Sequence, residues 1–178
     1  MRSIAIEQVR EFFDRLSQQW TEPTTMRLIG GCALFFLGRQ RTTLDIDYIG
    51  DDIHLTEFQR TAQMLAREMM LELEPVPLGE MIPISPDADT RSRLIGHFGS
   101  ITVVAFDPYS IALSKLDRGT RTDIEDVAFL LDRGYVNGDA LSSMVQNLLP
   151  QAHEYDLSPA DMTRRLAAIL KGALSSYA

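Results

Sequence analysis

The sequence predicts an α+β chain: a small mixed sheet flanked by helices, followed by a helical C-terminal half. Three observations carry that expectation. Short apolar runs with strand-like alternation are interleaved with amphipathic helical patterns up to Phe106. After Asp107-Pro108 every periodic segment is helical. The composition is that of a folded domain, with 178 residues, 45% hydrophobic and 24% charged. The expected organisation is one domain over residues 1–134 with a helical extension over 135–178 packed on it.

Ile6, Val9, Phe13 and Leu16 recur at helical spacing between charged neighbours, so residues 4–19 read as an amphipathic helix. Thr21-Glu-Pro-Thr-Thr breaks it. Met26 to Ile29 reads as a strand running into Gly30-Gly31, and Cys32 to Leu37 as a short apolar helix ended by Gly38. Arg39 to Thr43 is a polar basic loop, and Leu44 to Ile49 a second strand closed by Gly50-Asp51-Asp52. Thr56 to Met70 is helical, with Phe58, Met64, Leu65, Met69 and Met70 expected in the core. Prolines between Glu74 and Pro86 point to short edge strands, and Ser85 to Ser92 to an exposed loop. Arg93 to Phe98 and Ile101 to Phe106 form a hairpin about Gly99-Ser100. Helices then follow over 109–118, 122–132, 139–148 and 158–175. Asp107 before Pro108 is an N-cap with proline at the first helical position, and Thr122 with Glu125 has the form of a capping box.

Several function classes fall away on composition. No apolar run approaches the roughly 18 residues of a membrane span, and the charged N-terminal pattern is unlike a signal peptide. One cysteine, Cys32, excludes an internal disulfide framework and fits a reducing cytoplasm. With only three scattered histidines beside it, a zinc site is not expected. Lys+Arg 17 against Asp+Glu 25, a net charge of −8, argues against coating nucleic acid by bulk charge. Of the basic residues only Lys115 and Lys171 are lysines.

The strongest local signal is Gly30-Gly31 followed by Asp45-Ile46-Asp47. Residues two apart on a strand share a face, so both aspartates project together while Ile46 points to the buried side. Paired carboxylates resist joint ionisation unless a cation sits between them. Magnesium suits such a pair, taking oxygen ligands from one or two carboxylates and from substrate phosphates. Glycines after a strand let the backbone approach a phosphate, helped by amides of the following helix, and Arg39 and Arg41 stand ready for its remaining oxygens.

The stretch LIGGCALFFLGRQRTTLDIDYIG resembles the nucleotidyltransferase (DNA polymerase beta-like) signature of a hydrophobic residue, Gly-[Gly/Ser], a spacer and Asp-x-Asp. Gly38-Arg39 and Thr43 also resemble the loop of small antibiotic nucleotidyltransferases. Further on, DPYSIALSKLDRGTRTDIEDVAFLLDRG is similar to the second half of the AbiEii/AbiGii toxin-like nucleotidyltransferases, through Lys115-Leu116, Arg118, Arg121, Asp123 and Asp126. The resemblance covers residues 26–50 and 105–134. It implies transfer of a nucleoside monophosphate from an NTP, with two magnesium ions held by Asp45 and Asp47 and the triphosphate by Gly30 and Gly31. It further implies that Lys115 neutralises phosphate charge, and that Asp126, or after it Asp123, is a metal ligand or orients the acceptor hydroxyl or nucleotide.

Each of these residues also has an ordinary structural use. Asp45 and Asp47 suit a solvated edge strand, but aspartate is depleted in strands and two in one short run favour a site. Lys115 suits a solvated helix face, and Asp123 and Asp126 a first-turn preference for acids. Asp107 reads as a cap rather than a third carboxylate, Cys32 as a small core residue, and His97 as structural. Arg91 and Arg93 read as surface residues. The expected function is a metal-dependent nucleotidyltransferase of a toxin-antitoxin or phage-defence system, acting on RNA, tRNA or protein and restrained by a cognate antitoxin. The alternatives are transfer to a small hydroxylated acceptor such as an aminoglycoside or lincosamide, and a catalytically silent nucleotide-binding module.

Overall fold

The computed structural model describes residues 5–40 and 45–172. The expected α+β class is what it shows: a five-stranded mixed sheet with helices, then a helical C-terminal half. The chain forms two compact units, one from Met1–Leu78 with Ser92–Phe106 and the other from Gly79–Arg91 with Asp107–Ala178. The change from mixed to helical structure near residue 107 is thus also a boundary between units.

The first unit contains helix α1 (Ile6–Gln19), strand β1 (Thr24–Leu28), helix α2 (Gly30–Phe36), strand β2 (Asp45–Ile49), helix α3 (Glu57–Glu68), strand β3 (Glu72–Val76), and the hairpin β4 (Arg93–Phe98) and β5 (Ile101–Ala105). A four-residue helix α4 (Leu78–Met81) follows β3. The sheet order is β3-β2-β1-β5-β4, with β1 antiparallel to β2 and parallel to β5, and β2 parallel to β3. Alternation places Leu28, Ile46, Tyr48, Leu73, Val103 and Ala105 on the buried face of paired strands. Val9, Phe12, Phe13 and Leu16 of α1 are fully buried, and Phe13 packs on Phe98 with ring centroids 5.2 Å apart.

Helix α3 begins with a capping box in which Thr56 accepts from Gln59 N (3.2 Å) and Gln59 Oε1 accepts from Thr56 N (3.0 Å). Its buried stripe is Phe58, Gln59, Ala62, Leu65 and Ala66. Met64 and Met70, expected in the core, are 64% and 90% exposed. The small Ala62 and Ala66 occupy the inner face instead, and Met70 lies beyond the helix in the left-handed region.

The second unit contains helix α5 (Ala88–Arg91), α6 (Pro108–Arg118), α7 (Arg121–Asp132), α8 (Gly138–Asn147), a 3-10 turn over Leu149–Gln151, and α9 (Pro159–Leu170). The expected exposed loop at 85–92 therefore holds a helical turn with Ala88 buried. Helix α7 is capped by Thr120, not Thr122: Thr120 Oγ1 accepts from Asp123 N at 3.2 Å, and Glu125 pairs with Arg121 instead. Thr-x-x-Asp two residues upstream outcompetes the expected box because the Asp123 carboxylate also accepts from Thr120 Oγ1, at 2.7 Å. Among the described residues no helix is long and apolar enough to cross a membrane.

Candidate functional site

Strands β2 and β3 of the first unit assemble the acidic group. Ile46 is fully buried, so Asp45 and Asp47 project from the other face, half-buried. Parallel pairing sets Asp45 beside Glu72 and Asp47 beside Glu74. Asp45, Asp47 and Glu74 each offer a carboxylate oxygen, and these atoms all lie within 4.8 Å of one another. Three such groups repel strongly when ionised, and an all-oxygen set of this kind suits a hard divalent cation. Glu74 is the member that sequence reasoning missed. Its signal is the alternation Glu72-Leu73-Glu74, but only strand pairing brings it to Asp47.

Gly30 follows β1 and closes against this group. Its φ is +62°, and a Cβ there would run into the Asp47 carboxylate. Ile29 N donates to the Asp47 carbonyl at 3.0 Å, which holds the strand end and the aspartate together. The glycine is therefore required twice, by conformation and by space. Gly30→Ala should cost about 1–2 kcal/mol from the left-handed backbone alone, and displace the carboxylate in addition. Gly134, at φ +68° with nothing within 4 Å of an added Cβ, isolates the backbone part. In thermal unfolding, Gly30→Ala should lose more than Gly134→Ala, and only Gly30→Ala should alter divalent-cation affinity.

Cys32, in the first turn of α2, is buried. Burial, with the nearby charges of Asp47 and Asp45, pushes its thiol up to about 12. It is a packed thiol rather than a nucleophile at neutral pH. Arg39 is half-buried after α2, and its amide donates to the Leu34 carbonyl at 2.9 Å. Arg41 and Thr43 lie outside the described residues.

The second unit brings together Lys115, Arg118, Asp123 and Asp126. Lys115 Nζ donates to Asp126 Oδ2 at 2.8 Å and to Asp123 Oδ1 at 3.1 Å, and Arg118 Nη2 to Asp123 Oδ1 at 2.6 Å. Burial alone would raise the Asp123 carboxyl. Hydrogen bonds from Arg118 and Thr120, then the charges of Lys115 and Arg118, outweigh it and hold the group below its usual range. A carboxyl depressed in the folded state stabilises above its unfolded pKa of about 3.9, and that contribution is lost as pH falls through the folded value.

Asp107 is an N-cap, as expected, and more. Its oxygens accept from Tyr109 N and Ser110 N, both at 3.2 Å, and from Ser110 Oγ at 2.8 Å. Arg91, expected at the surface, grips the same carboxylate through Nε and Nη2, each at 2.8 Å, and lies over the Tyr109 ring at 5.4 Å. Asp107 is completely buried and fully engaged in this structural role. His97 is exposed on β4, with Nδ1 3.2 Å from Thr102 Oγ1.

A family model described as a nucleotidyltransferase of unknown function (DUF6036) matches residues 5–154. No curated protein and no solved structure matches the chain.

Proposed function

The chain belongs to the DUF6036 nucleotidyltransferase family, and from that premise we propose that it moves a nucleoside monophosphate from an NTP to an acceptor hydroxyl, the acceptor oxygen bonding the α-phosphorus as pyrophosphate leaves. The observation that carries the proposal is the convergence of Asp45, Asp47 and Glu74 beside Gly30. Those three carboxylates are the residues that would hold the divalent cations, two magnesium ions by the resemblance noted above. When bound, the ions supply charge neutralisation and Lewis-acid polarisation at the reacting phosphoryl group. The chain itself contributes Gly30, whose missing side chain leaves room for the Asp47 carboxylate, and the sequence resemblance assigns the triphosphate to Gly30 and Gly31. By the sequence resemblance alone, Arg39 and Arg41 take phosphate oxygens, Lys115 neutralises phosphate charge, and Asp126, or after it Asp123, is a metal ligand or orients the acceptor hydroxyl.

The first reading of the acceptor is RNA, tRNA or protein, in a toxin held by an antitoxin, and rests on the similarity of residues 105–134 to the toxin-like group. A structural feature favours a second reading. A groove of about 240 Å³ opens between α3 and β3, with Glu72, Glu74, Gln63 and Arg67 in its lining. A groove that sets two glutamates against one arginine, and shares Glu74 with the acidic group, suits a small cationic, hydroxylated acceptor such as an aminoglycoside.

The test is incubation with magnesium, each NTP labelled at the α-phosphate, and total RNA, total cell protein or an aminoglycoside. Label on RNA or protein supports the first reading, label only on the aminoglycoside the second, and label on none of the three overturns both. Glu74→Gln is expected to weaken magnesium affinity at least about tenfold, read as a smaller magnesium-dependent rise in Tm than wild type shows.

A further inference from the structure

The sheet has two edge strands, β3 and β4. Strand β4 carries a register shift between Leu94 and Gly96, an irregularity that discourages further pairing. Strand β3 pairs with β2 without a break from Glu72 to Val76. One bond fixes which way its backbone faces: Gly50 N donates to the Val76 carbonyl at 3.1 Å. In a parallel ladder alternate residues turn both backbone groups to the neighbouring strand. Val76, Glu74 and Glu72 therefore face β2, and Pro75 and Leu73 face outward. Pro75 thus stands where a missing N–H removes no ladder bond. Leu71 N, on the same outward side, donates to the Ala66 carbonyl at 2.9 Å. Leu73 is left with its N–H and its C=O both directed outward along the plane of the sheet.

The groove of about 240 Å³ lies against that edge. Residues 71–74, four in a row, line one side of it, and Gln63, Ala66 and Arg67 of α3 the other. Successive strand residues point to opposite faces, so a groove lined by four of them runs along the edge and not over one face. It follows about 10 Å of strand, at roughly 3.3 Å per residue. A slot of this kind along an open edge is where an extended peptide joins a sheet. Leu73 is buried on the same face as Ile46, while Glu72 and Glu74 are exposed on the other. A residue set opposite Leu73 therefore meets an apolar side chain, and its two neighbours meet glutamates. A second copy of this chain is a poor occupant. Antiparallel self-pairing about Leu73 sets Glu72 opposite Glu74 twice, and like charges directly opposite destabilise a strand pair. Basic neighbours reverse that sign.

We propose that the outer edge of β3 is the docking site of an extended segment of a partner protein. The segment adds antiparallel to β3, with an apolar residue opposite Leu73 and basic residues on either side of it. Leu73 exchanges two backbone hydrogen bonds with the apolar residue, and Glu72 and Glu74 select the flanking charges. This docking goes beyond nucleotidyl transfer and stands or falls without it.

The experiment titrates the full chain with fluorescein-labelled peptides, followed by anisotropy without divalent cations so that no ion competes for Glu74. The probe is a short peptide that alternates arginine and valine. One control replaces its arginines by glutamate, and another N-methylates its valines, which keeps the charge and removes the donors that Leu73 C=O needs. The probe should bind at least about tenfold more tightly than either control. Glu72→Lys, an exposed position outside the group of Asp45, Asp47 and Glu74, should weaken it at least about tenfold. Where Glu72→Lys does not fold, Glu72→Gln takes its place, with a smaller loss in the same direction. Equal affinity of the N-methylated peptide overturns strand addition, since charge alone would then hold the probe. Absence of binding up to about 1 mM probe overturns the site itself. Unchanged affinity in the Glu72 variant moves the peptide to another surface and overturns it too. So does a concentration-dependent dimer that the probe dissociates, which would make a second copy the occupant.

Discussion

Asp47→Ala is expected to reduce nucleotidyl transfer at least about a hundredfold, a loss of roughly 2.7 kcal/mol or more in transition-state stabilisation, measured as label incorporated from an NTP. Asp47 is the member of the acidic group that touches every other part of the site: Glu74 across the strand pair, Asp45 two residues away, and Gly30 at its carboxylate. Its loss removes one of the three carboxylates proposed to hold the cation and the wall of the glycine turn together. The fold should tolerate the change. The strand is held by backbone pairing, including the bond from Ile29 N to the Asp47 carbonyl, which the substitution leaves intact. Without metal, Asp47→Asn should unfold at or slightly above the wild-type Tm, because it relieves repulsion among three close carboxylates. Adding magnesium should then raise the Tm of the wild type and not that of the variant, since a ligand stabilises only a state that binds it. A variant that retains transfer removes Asp47 from the site.

Asp107→Ala is expected to be the most damaging substitution for the stability of the second unit, at about 3 kcal/mol, or roughly 6–12 °C in Tm for a chain of this size. The carboxylate serves two backbone amides, one hydroxyl and a bidentate guanidinium, and is completely buried. Its removal leaves the first turn of α6 uncapped and Arg91 without its main partner. Arg91 keeps its ion pair with Asp87 and its place over Tyr109, and a quarter of its side chain meets solvent, which limits the penalty on that side. Asp107→Asn preserves a good capping acceptor and should lose less. The double variant Asp107→Ala/Arg91→Ala should lose less than the sum of the single changes. Equal losses for Ala and Asn at position 107 would mean that charge, not capping, carries the effect.

Local signals made much of this molecule legible. The hairpin about Gly99-Ser100, the cap at Asp107-Pro108, the buried Ile46 between two outward aspartates, and the stop at Gly38 each depend on neighbours within a few residues. Where local signals competed, the sequence was ambiguous. Thr120 and Thr122 both stand before an acid three residues on, and the cap went to the one whose partner, Asp123, also joins the lysine network. Met64 fits a helical apolar pattern, but Ala62 and Ala66 bring α3 close at a face that leaves no place for it.

From sequence alone came the order of most elements, the single cysteine that leaves no internal disulfide, and the pairing of Gly30-Gly31 with Asp45 and Asp47. These rest on chain-local physics: strand alternation, helix periodicity, capping and the freedom of glycine. Tertiary structure decided what depends on contacts between distant residues. Strand order made Glu74 a neighbour of Asp47. Helix packing turned Lys115 from a surface cation into the buried partner of Asp126, and drew Arg91 from a polar stretch onto Asp107. A charge takes its role from the charges placed around it, and only the fold places them.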